Sequence, residues 1–149
     1  MSIAKELASL FRRDLARLGK QIASFPGDEA LWTRLPGAPN AAGNLALHIE
    51  GNLREFVGRQ LGGLAYTRNR ELEFNAQGMS KEKIVGRIED LIATIPSVVE
   101  QLSPQQMETE YPQVVLDAPM STAKFLIHLY GHLNWHLGQI DTLRRGLMS

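Results

Sequence analysis

The chain has 149 residues, the length of one ordinary domain, which is enough to bury a core without disulfide staples. Its 16 basic and 16 acidic residues cancel, and no strongly basic stretch interrupts it, which argues against nucleic acid as a partner. The absence of cysteine excludes disulfides, thiolate nucleophiles, iron–sulfur clusters and cysteine-type zinc sites, so any sulfur chemistry must bring its sulfur on a substrate.

The first residues carry Lys5 and Glu6 among their apolar positions and lack the continuous apolar run of a signal peptide. No segment approaches the roughly 20 apolar residues of a membrane span. A cytoplasmic protein with no membrane partner is expected. Leu7, Phe11, Leu15, Leu18, Ile22 and Phe25 recur at helical spacing and predict a helix over 3–25 that Pro26-Gly27 ends. A connection containing Pro36, Gly37 and Pro39 follows. Asn40 or Asn44 then stands where it can cap a second helix reaching Gly62-Gly63, with Leu45, Ile49, Leu53 and Phe56 on its apolar face. A third helix starts near Ser80 and runs through Ile84, Ile88, Leu91, Ile95 and Val98 to Leu102. The fourth runs from Ser121 to Gly146.

These elements predict an all-α chain, one four-helix bundle domain over residues 1–149 with long crossover connections. The connections at 64–79 and 103–120 exceed the few residues of a helical hairpin, and at least one is expected to cross a bundle end. The segment Tyr111-Pro-Gln-Val-Val-Leu suits either a short strand or a loop tucked against the core.

Three of the four histidines fall on the fourth helix, as His128, His132 and His136. At about 100° per residue, His132 and His136 share the arc of Phe125, Leu129, Leu133, Ile140 and Leu143, facing the bundle interior, while His128 and Gln139 sit at its margin. Two inward imidazoles one turn apart need polar partners in a dry interior, and one cation satisfies both. His48 lies at the edge of the second helix's stripe beside Asn52, Glu55 and Arg59, neighbours expected to reach water. Taken alone it reads as a hydrogen-bonded core residue as readily as a ligand.

Gly131 and Gly138 each cost about 1 kcal/mol against alanine inside a helix. They share a face with Trp135, which marks either a close approach to another helix or subunit, or two tolerated glycines. Arg12, Arg13, Glu89, Asp90, Arg144 and Arg145 suit solvated faces and helix ends. The residue after His132 is Leu133, not the glutamate of a His-Glu-x-x-His protease, and no nucleophile elbow, phosphate loop or dinucleotide fingerprint is present.

The segment Asn44-Leu-Ala-Leu-His48-Ile-Glu-Gly-Asn52-Leu, together with His128-x-x-x-His132-x-x-x-His136-x-Gly138-Gln139-Ile140, resembles the DinB-like (YfiT-like) family of metalloenzymes along the whole chain. The resemblance implies up-down-down-up topology and a divalent metal held by His48, His132 and His136, with His128 outside the ligand set. It also implies a homodimer and an enzyme class that includes transferases using low-molecular-weight thiols and a maleylpyruvate isomerase. A thiol S-transferase or hydrolase acting on a small molecule, with a thiol cosubstrate in the first case, is therefore expected. The competing reading is a metal- or small-ligand-binding bundle without turnover. Nitrogen ligation suits zinc or nickel first, with iron and copper also open. Glu55 is the candidate proton acceptor, and Asn52 and Gln139 are candidates for orienting imidazoles or substrate.

Overall fold

Helix α1 (Ile3–Ala23) begins at Ser2, whose hydroxyl accepts the Lys5 amide, and buries Leu7, Phe11, Leu15, Leu18 and Ile22 as one stripe. The computed structural model describes residues 2–148. After a 3-10 turn (Glu29–Trp32) comes α2 (Ala42–Leu53), whose twelve residues are all buried. Its course continues through a π-helical stretch (Arg54–Arg59) into the short α3 (Gln60–Gly62), which Gly63 ends in the left-handed region at φ 64°. The connection that follows holds α4 (Arg70–Asn75), capped by the Asn69 side chain. Helix α5 (Lys81–Glu100) starts at the predicted Ser80 cap and runs on through Pro96. A capping box of Ser103 and Gln106 opens α6 (Pro104–Glu108), and α7 (Thr122–Met148) completes the chain.

Side-chain contacts set the direction of each long helix. Tyr130 meets Asp14 and Arg144 meets Gln21, so α7 runs parallel to α1. Arg12 meets Glu100 and the Lys81 ammonium meets the Phe25 carbonyl, so α5 runs opposite to α1. Arg87 reaches Glu50 and Arg54 reaches Asp90, so α2 and α5 run the same way. The topology is up-down-down-up. It follows that the 64–79 connection must return along the length of the bundle, laying α4 against α2, while 103–120 crosses the end between α5 and α7.

Several local expectations are corrected. Neither Asn40 nor Asn44 caps α2; Ala41 holds that position, and Asn44 is buried, donating to the Glu73 and Ala76 carbonyls at 3.1 and 2.9 Å. Asn52 is buried rather than wet, because α2 has no solvent face. Helix α7 passes Gly146 to Met148. Of the two readings open for 111–116, the described residues take the loop: Tyr111 is buried, Val115 makes one isolated bridge with Ala118, and Glu110 just before it makes another with Ser121. No helix of the described residues is long and apolar enough to cross a membrane.

Two buried polar contacts tie distant segments together. Asp14, fully buried, accepts from Arg13, Arg17 and the Tyr130 hydroxyl and so joins α1 to α7. Burial raises its pKa, but these bonds outweigh that and leave it lowered. Tyr111, from the 103–120 crossing, donates its hydroxyl to the Phe56 carbonyl at 2.6 Å, within the π-helical stretch. Replacing Tyr111 by Phe leaves that carbonyl without its buried donor. We expect a loss of about 1–3 kcal/mol in urea unfolding with the denaturant slope unchanged.

Candidate metal centre

Because α2 and α7 run antiparallel, residues spaced by one turn on α7 meet a single position on α2. His48 thereby faces His132 and His136. The Nε2 atoms of His48 and His132 stand 3.0 Å apart, those of His136 and His132 3.2 Å, and the three potential ligand atoms all lie within 4.8 Å of one another. The rings are mutually edge-on, with centroids 4.5 to 5.1 Å apart.

The far side of two rings is already committed. His48 donates from Nδ1 to Glu73 Oε1 at 3.0 Å, and His136 donates from Nδ1 to Gln139 Oε1 at 2.7 Å. Each bond places the proton on Nδ1 and leaves the Nε2 lone pair pointing at the cluster. A single N–H on His132 can bridge to one of these lone pairs at a time. One cation among the three satisfies all of them.

Glu73 is itself buried and receives both edges of the Arg68 guanidinium at 2.9 and 3.1 Å. Burial alone would raise its pKa, but the bonds from His48 and Arg68 prevail, and the group is lowered and ionised. Gly51 makes the approach possible, since a β-carbon there would collide with the Glu73 carboxylate. Phe74, the next residue, packs on the His48 ring at 4.8 Å.

Of the residues singled out in the sequence, His48, His132, His136 and Gln139 come together in one hydrogen-bonded group. His128 is exposed, stacked on Phe125 outside it. Asn52 lies one turn beyond His48, buried, with Oδ1 lacking any partner among the described residues. Glu55 is engaged by Arg59 at 2.7 Å and by Gln60, and the bond from Arg59 holds its carboxyl below the usual range. It orients none of the three imidazoles. Glu73 and Arg68 were missed, and nothing local separates Glu73 from Glu71; only the return of the 64–79 segment along α2 selects it. Gly131 and Gly138 mark no close approach within the chain, as an added β-carbon on either meets nothing within 4 Å.

The fold is that of a DinB-like bundle. A solved DinB-like protein from Bacillus cereus ATCC 10987 superposes at a TM-score of 0.68 with 21% identity, covering 89% of this chain and 85% of that one. No family model and no curated protein matches the sequence.

Burial, reinforced by the His136 and His48 rings, pushes the His132 pKa down to about 3. Burial also lowers that of His136, against the bond to Gln139, which raises it. The unfolded chain protonates these residues below about pH 6.5 while the metal-free folded chain does not. The unfolded state then binds more protons, so this stability is complete above about 6.5 and is lost as the pH falls toward the folded value. Urea midpoints of chelator-treated protein should fall between about pH 7 and pH 5. His132→Gln should flatten that slope.

Proposed function

We propose that this chain is a metal-dependent enzyme in which His48, His132 and His136 hold one divalent ion through Nε2. The convergence of three Nε2 atoms, two of them on rings whose Nδ1 is already bonded to Glu73 or Gln139, carries the reading. Two nitrogens on one ion at ordinary zinc–nitrogen lengths stand about 3.0–3.4 Å apart. The separations of His132 from its two neighbours, 3.0 and 3.2 Å, suit that donor set.

Three neutral protein ligands leave positions for water and substrate, the pattern of a catalytic rather than a closed structural site. A bound ion supplies Lewis acidity, lowering the pKa of a thiol or water brought to it. Zinc or nickel suits the imidazoles first, with iron and copper next. Glu73 and Gln139 keep their rings in the ligating tautomer. Asn52, one turn beyond His48, keeps a buried carbonyl oxygen with no partner among the described residues. The chain has no cysteine, so a thiol transfer takes its sulfur from a low-molecular-weight cosubstrate; hydrolysis needs only water.

One observation favours the alternative of a binding module without turnover. Glu73 is occupied by His48 and Arg68, and Glu55 by Arg59, so neither carboxylate is free to take a proton. The two readings part on turnover, not on metal content.

Elemental analysis of purified protein should find about one divalent ion per chain, and His48→Ala, His132→Ala and His136→Ala should each lose it. Equal content in all four would sink the proposal. Glu73→Gln should keep the ligands but weaken binding about 10–100-fold, read by competition with a chelator. A screen of thiol cosubstrates against electrophiles, with hydrolysis assays alongside, should reveal turnover that needs both the ion and His136. Metal binding without any such turnover would establish the binding module instead.

A further inference from the structure

A cavity of 530 Å³ opens between α7 and the Pro/Gly-rich connection before α2, walled by Leu35, Pro36 and Leu45 on one side and Trp135, Gly138 and Gln139 on the other. That volume is of the size that encloses a small molecule. Among the described residues no charged side chain lines it, so a charged ligand would lose its hydration there without compensation. Proline at 36 and 39 stiffens the loop wall, so the space is formed in advance.

Three features of α7 are left unexplained by contacts within the described residues. Gly138 costs about 1 kcal/mol in a helix interior. No neighbouring atom requires it, since an added β-carbon meets nothing within 4 Å. A side chain there would stand at the cavity's border, which Gly138 shares with a neighbouring groove lined by Arg17, Gln21 and Asp141. Trp135, three residues earlier on the same face, is 70% exposed at the cavity's edge, an apolar surface left to water. Gln139 uses its carbonyl for His136, and its amide N–H groups have no partner among the described residues. A flat apolar surface, an open helix border and a pair of donors without a partner among the described residues thus meet in one space.

We propose that this cavity binds a small neutral molecule with a planar ring, which stacks on Trp135 and gives a carbonyl oxygen to the Gln139 amide. The ring recovers the exposed indole surface, and the carbonyl satisfies the donors. Such a ligand touches the residue that holds His136 but none of the three converging nitrogens. The proposal stands apart from the metal reading and survives or fails without it.

Coumarin, neutral, planar and bearing one carbonyl, is a suitable probe, titrated into the full ¹⁵N-labelled chain. The Trp135 indole and Gln139 side-chain amide resonances should shift saturably, while the indole of Trp32, which does not line the cavity and whose N–H donates to the Met79 carbonyl, should shift far less. Gly138→Leu adds bulk at the cavity's border and should weaken binding at least about tenfold. Gly138→Ala, for which there is room, should fold and weaken it less. Coumarin-3-carboxylate, the same ring with a charge, should bind at least about tenfold more weakly than coumarin. No saturable shift, equal affinity for the charged and neutral probes, or undiminished affinity in the folded Gly138 variants would overturn the proposal.

Discussion

The buried carboxylate of Glu73 is the point on which the arrangement around α2 turns. Leaving a charge alone in such a place costs several kcal/mol, so its position demands donors from whatever surrounds it. Arg68 supplies two and the His48 ring a third, while Asn44 holds the Glu73 backbone carbonyl. Gly51 leaves the space through which the carboxylate enters. One ion-pair cluster thereby straps α4 along α2, sets the tautomer of His48 and turns its Nε2 toward α7. Satisfying the charge and orienting the His48 imidazole are the same set of bonds.

The rest of the fold presents the opposite face of the cluster with equal economy. Helix α7 carries two imidazoles one turn apart, and its position against α1 is held by the buried Asp14, which takes bonds from Arg13, Arg17 and Tyr130. Helix α2 has no wet side, so every polar residue on it needs an internal partner. Asn44, His48 and Glu50 have theirs; among the described residues the Asn52 carbonyl does not. In a well-packed interior such an orphan is an unmet cost. Gln139 joins the cluster to the neighbouring cavity, one end of its carboxamide on His136 and the other without a partner among the described residues.

The long helices were legible in the sequence because apolar spacing at three and four residues is a local property, and caps such as Ser80 are local as well. His132 and His136 could be placed on an inward arc by the same geometry. The failures have a common cause. Asn44 and Asn52 look like ordinary polar residues at a helix start and on a helix face, yet α2 is covered on every side by α4, α5 and α7. Gly138 suggested a close contact by its type, whereas the structure leaves its surroundings open. Neither covering nor vacancy is written in a helix's own periodicity.

From the residues alone follow the helical class, the long elements and the inward pair on α7, since all three depend on spacing within one helix. The gathering of His48 with that pair was implied by resemblance and required the antiparallel register of α2 against α7 to be realised. Glu73, Arg68 and the cavity beside Gln139 were decided by tertiary structure only. They depend on a connection that must travel back along the bundle because α2 and α5 point the same way, and on a stiff loop standing off from α7. Such placements arise from the path of the chain between helices, where sequence spacing gives no measure of distance in space.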